Sequence, residues 1–161
     1  MNKPYIKLWH FILEIQGYVI LLISIIYGIA FAVSTEGEVP THFQMDGTVD
    51  GYGSPATLLI LPVVMLFCNV MMSVILHFMN PKSWNMVVKP TEANALYLYT
   101  DVSELMVEME FIFSVYSLVY MLTIDKSSVI TGIATGVMLV LMFGAIGLNI
   151  AKSIRHGKIT G

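Results

Sequence analysis

His42, Asp46 and Asp50 stand at four-residue steps in the segment from Val39 to Pro55 (VPTHFQMDGTVDGYGSP), which also carries Tyr52. An imidazole and two carboxylates could suit zinc or another transition ion, so no cofactor is expected beyond a possible divalent metal. The spacing is not that of a calcium EF-hand loop, whose ligands alternate and end in a bidentate glutamate. The same residues have a plainer use. His42 and Asp50 can bond backbone groups, while Gly47, Gly51 and Gly53 supply tight turns through positive φ. The structural use comes first and the ligand site, with Tyr52 as a fourth member, second.

A second constellation is acidic. Asp101, Glu104 and Glu108 follow i, i+3, i+7 spacing and share a helix face with Tyr97. His10 and Glu14 are four apart, and His77 closes a later apolar run. Glu14, His77, Glu104, Glu108 and Glu110 thus form a candidate intramembrane polar cluster, fit for a metal centre between helices or for a proton relay. The simpler expectation is that Glu14, Asp101 and Glu104 reach the interface and pair with Lys7, Lys82, Lys89 or Lys152. Glu108 and Glu110 lie about 200° apart at 100° per residue, so at least one of them must face the bundle. Asn69, in the middle of an apolar run, reads as a hydrogen-bonding link between helices.

The elements that must hold these residues are membrane helices. The chain has 161 residues, of which 57% are hydrophobic and 12% charged, with mean hydropathy +0.78. A soluble domain carries about 25% charged residues. Net charge −3 removes the basic footprint of a nucleic-acid binder. The lone Cys68 excludes an intrachain disulfide. About 20 apolar residues cross a bilayer, and four runs qualify, at about 15–34, 55–78, 104–124 and 128–151. The fold class is all-α integral membrane, one four-helix bundle. A loop covers 35–54 and a second segment 79–103, and Ser54-Pro55 reads as cap and first residue of the second span. Ser127 or Ser128 caps the fourth span, and Pro62 can kink the second. Ala30-Phe31-Ala32 resembles a signal-peptidase site, but the charged segment before it is long and contains Glu14, so the first helix reads as uncleaved.

Lys3, Lys7, Lys82, Lys89, Lys152, Arg155 and Lys158 fall on one side of the four spans, against Lys126 on the other. Both termini are therefore expected in the cytoplasm and the 35–54 loop outside. Thr91 reads as an N-cap, which would start the third helix near Glu92 and extend it into the cytoplasm. Gly132, Gly136, Gly144 and Gly147 give the fourth span a small-residue face. Packing within the bundle is the preferred reading and a homodimer face the alternative.

The Pro40-Thr41-His42-Phe43 and Asp46-Gly47-Thr48-Val49-Asp50-Gly51-Tyr52-Gly53-Ser54 stretches resemble the signature of the membrane domain of unknown function 1648 family. So do Asn80-Pro81 and Lys89-Pro90-Thr91-Glu92-Ala93-Asn94 with Tyr97 and Tyr99. This domain is found in SdpI-type immunity proteins of bacterial inner membranes, which protect against or sense a secreted peptide toxin. The resemblance implies toxin binding or immunity at the outer loop, without chemistry. No nucleophile motif is present. The competing expectation is a dimeric small transporter or metal-binding membrane protein using the acidic residues. A third is an accessory subunit docked on a membrane partner protein.

Overall fold

A computed structural model describes residues 3–44, 48–124 and 128–159. Four long helices dominate: α1 (Leu8–Ser34), α2 (Ile60–Phe78), α3 (Ala95–Thr123) and α4 (Ser128–His156). Each is long and apolar enough to cross a membrane. Between α1 and α2 lies an antiparallel hairpin, β1 (Val39–Phe43) and β2 (Val49–Gly53). It is the one sheet among the described residues, in a stretch the sequence presents as loop.

The interior of the bundle mixes buried polar groups with apolar ones, and the exterior is apolar. The buried stripe of α1 is His10, Glu14, Gly17, Leu21, Ser24 and Gly28, alternating steps of four and three. It packs chiefly on α3, whose buried positions include Asp101, Ser103, Glu110, Ser114 and Ser117. Val33, Phe78 and Val140 are 84%, 81% and 73% exposed on the outside. In lipid, helices gain little by hiding leucine from one another, so close approach and hydrogen bonding select the interface. Gly17 illustrates this: a Cβ there would lie 3.3 Å from Ser114 Oγ and 3.6 Å from the Glu110 carbonyl oxygen.

α3 is central, touching the other three helices, whereas α4 packs on α3. The most apolar stretch of α3 is 33% buried and that of α4 is 6%. Gly132, Gly136, Gly144 and Gly147 have no atom within 4 Å of where a Cβ would stand. The expectation that they bring α4 close inside the bundle is therefore corrected: their side is open.

The N-terminal segment, the end of α2, the start of α3 and the end of α4 share one end of the bundle. Lys3 Nζ donates to the Leu76 and His77 carbonyl oxygens at 3.0 and 2.7 Å, a cation on the closing carbonyls of α2. Tyr5, Trp84 and Tyr99 meet edge to face, with ring centroids 5.7 to 6.1 Å apart. α3 does not project alone, because α1 and α4 extend alongside it. Its cap is also not Thr91. The Asn94 side chain accepts from the Thr91 N–H at 2.7 Å, and the helix begins at Ala95.

At the opposite end, Val39, Leu58, Met121 and Ile124 bury together and seat the hairpin on α3. Ser54 accepts from the Ala56 N–H at 3.4 Å and Pro55 follows, opening a 3-10 turn (Pro55–Leu59) that runs into α2. Gly51 and Gly53 do not take positive φ, contrary to the turn reading. Gly51 faces His42 across the ladder, where a Cβ would come within 2.9 Å of the histidine's own. It supplies room, not a left-handed turn.

Candidate functional site

The acidic residues divide into three places. Glu14 (α1), Ser73 and His77 (α2) and Glu110 (α3) converge in the interior. Ser73 Oγ lies 2.6 Å from Glu14 Oε1, 3.0 Å from Glu110 Oε1 and 2.9 Å from the Tyr18 hydroxyl. His77 Nε2 sits 2.9 and 3.1 Å from the two oxygens of Glu14, and its ring stacks on Phe11 at 5.4 Å. One turn along α2, Asn69 Nδ2 donates to the Glu110 carbonyl at 3.2 Å and to Ser114 Oγ at 2.9 Å. Ser24 and Ser117 continue the track with a hydroxyl pair at 2.8 Å. Polar contacts thus run in register along the α1–α2–α3 seam from the His77 end inward.

Glu104 belongs elsewhere, paired with Lys152 at 2.9 Å and Lys7 at 3.7 Å. Asp101 is buried beside α4, taking His156 Nδ1 at 2.8 Å and Ser153 Oγ at 3.4 Å, while Asn149 Nδ2 donates to its carbonyl. Glu108 borders an outward groove of about 320 Å³ with Leu13, Phe111 and Gly144. The lysine pairing expected for Glu104 is found. For Glu14 and Asp101 it is not: both are buried and bonded to histidine and serine instead. His10 is fully buried at the start of α1, its Nδ1 accepting the Lys7 N–H at 3.3 Å, away from the Glu14–His77 pair's contacts. Ser73, Tyr18 and His156 carry no sequence signal of their own. Ser73 becomes visible once it is noticed four residues before His77 and four after Asn69, on one face of α2.

The hairpin presents the other candidate. His42 Nδ1 and Asp50 Oδ1 are 2.5 Å apart, with side chains 72% and 33% exposed. Asp46 lies outside the described residues. Tyr52, on the neighbouring strand position opposite Pro40, is 61% exposed. Among the described residues no three histidine, cysteine or carboxylate side chains converge as a metal would require. Beside the hairpin opens a cavity of about 770 Å³. Thr41, His42, Phe43 and Gln44 form one wall, Tyr120 the floor, and Thr131, Gly132, Thr135 and Gly136 of α4 the other. Its surface is mostly apolar, with a histidine, an amide and hydroxyls at the rim, a lining suited to an amphipathic guest.

These features define a helical membrane-type protein with a polar interior seam and a small hairpin between its first two long helices. Residues 19–66 match the model of the family described as Domain of unknown function (DUF1648). The match covers most of α1, the hairpin and the start of α2, including the His42 motif; the Asn80–Tyr99 stretch lies beyond it. No curated protein and no solved structure matches the chain.

Proposed function

We propose that this is a multi-pass protein of the bacterial cytoplasmic membrane that binds a peptide toxin or other membrane-active compound on the outer side, giving SdpI-like immunity or sensing without chemistry. The cavity between the hairpin and α4 carries the reading. It is large enough for several side chains of an amphipathic peptide, and its lining follows α4 from Ser128 to the apolar Leu139. The basic residues gather at the other end of the bundle, which supports cytoplasmic termini and an outer hairpin. His42 and Gln44 provide polar contacts at the rim, and Phe43 and Leu139 the apolar ones.

The test is protection of cells. Cells making the wild-type protein are challenged with a panel of membrane-active peptides beside cells making His42→Ala at equal membrane abundance. Survival in the first and killing in the second is the expected result; equal survival sinks the hairpin site.

A second reading, a dimeric small transporter, is favoured by the buried Glu14–Ser73–Glu110 contacts and by the open glycine side of α4. Four spans are few for a pathway in one subunit, so it requires the dimer. Glu110→Gln is then expected to abolish pH-dependent flux in proteoliposomes, and unchanged flux excludes the reading.

A further inference from the structure

Ser73 has more oxygen neighbours than its one proton can serve. A serine hydroxyl has one proton to donate and two lone pairs to accept with. Ser73 Oγ has three oxygen neighbours: the Tyr18 hydroxyl, Glu14 Oε1 and Glu110 Oε1. If Tyr18 donates, Ser73 satisfies one carboxylate, and the other carboxyl must donate its own proton to Ser73. If Ser73 donates to Tyr18, both carboxyls must do so. In either arrangement at least one carboxyl is an acid. Glu14 is engaged on both oxygens by His77 Nε2, as a carboxylate facing an N–H would be.

Glu110 is fully buried, and its Oε2 has no partner. The same holds for Asn69 Oδ1, on the side chain that donates to the Glu110 backbone. A neutral acid leaves an uncharged carbonyl oxygen unpartnered there, in place of half of a bare carboxylate. The titratable groups facing Glu110 are Glu14 and Tyr18 from α1, with His77 of α2 behind Glu14. Among the described residues, no lysine or arginine bonds to it.

We infer that Glu110 is a proton-loading site, and that Glu110, Ser73, Glu14 and His77 form a relay between it and the terminal end of the bundle. In the transfer step the Glu110 Oε1–H bond breaks as a Ser73 Oγ–H bond forms. The original Ser73 Oγ–H bond breaks as Glu14 Oε1–H forms. Glu110 becomes the carboxylate, Ser73 is restored and Glu14 is the acid. When His77 holds its proton on Nδ1, Nε2 accepts the proton from Glu14 and the ring, about a quarter exposed, gives one up to water. The reverse sequence loads the site. The relay goes beyond the cavity reading and does not depend on it.

Infrared spectroscopy of the folded protein in lipid nanodiscs tests this through the C=O stretch of neutral carboxyl groups. Glu110→Gln is expected to remove one such band that Glu108→Gln and His42→Ala retain. A spectrum unchanged by Glu110→Gln overturns the assignment. If Glu110→Gln fails to fold, Ser73→Ala decides: the band shifts when the acid loses its acceptor, and an unmoved band overturns the proposal. On transfer to heavy water, Ser73→Ala is expected to slow deuteration of that carboxyl by about tenfold, the effect of about 1.4 kcal/mol on a barrier. Exchange at the wild-type rate removes Ser73 from the relay. Loss of protection in His42→Ala with this band intact separates the two sites.

Discussion

Two of the histidine–carboxylate pairs in the molecule sit in opposite surroundings. His42 and Asp50 meet across the hairpin with most of the imidazole in solvent, while His77 and Glu14 meet inside the bundle with the carboxylate 9% exposed. The hairpin pair is the shorter, yet it has water to fall back on, and exposed pairs contribute about 0–1 kcal/mol. The interior pair is tied to Ser73, Tyr18 and Glu110, so losing one member strands several polar groups. Distance alone therefore ranks the two wrongly. What the remaining partners do after one is removed sets the cost.

That contrast can be broken in several ways. Glu14→Ala is expected to destabilise the folded protein in detergent by about 1–3 kcal/mol, the cost of stranded buried partners. Asp50→Ala should cost under about 1 kcal/mol. Equal thermal shifts would erase the distinction. Next, Gly17→Leu pries α1 from α3 beside Ser114 and Glu110 and should cost about 1–3 kcal/mol by overpacking. Gly147→Leu, on the open side of α4, should stay within about 0.5 kcal/mol. Salt sharpens the comparison further. Raising ionic strength to 1 M shortens screening to about 3 Å, which should cancel the His42–Asp50 coupling in a double-mutant cycle and leave that of His77–Glu14 largely intact. Ser24→Ala should cost about 0.6 kcal/mol, typical of one hydrogen bond between membrane helices.

The four helices were legible because bilayer thickness imposes a length and composition that few other constraints imitate. The split between Glu108 and Glu110 was legible too, since two positions 200° apart cannot both face one partner. The meeting of Glu14 with Ser73 was not. Serine is ordinary in membrane helices, and its place depends on how three helices are rotated against one another, which spacing within one helix does not report. His10 shows the same limit. It shares a face with Glu14, yet its ring is spent on the N-terminal turn of α1. The hairpin was missed for another reason. Asp46-Gly47 between Phe43 and Val49 is a hairpin signal, but a stretch so rich in glycine and aspartate reads equally as turns. His156 lay in the basic tail, where a charge count for orientation hides its role opposite Asp101.

The lateral place of α4 bears on how such a protein is made. Every group along the interior track, from Glu14 to Ser117, is encoded before residue 124. The ribosome therefore delivers the three helices that satisfy one another before the fourth has emerged. The last helix then arrives at a preformed flank, where Asn149, Ser153 and His156 catch Asp101 at the final turns. An assembly order written into the chain in this way closes the interior track first and leaves the Asp101 carboxyl to be satisfied last, by the end of α4.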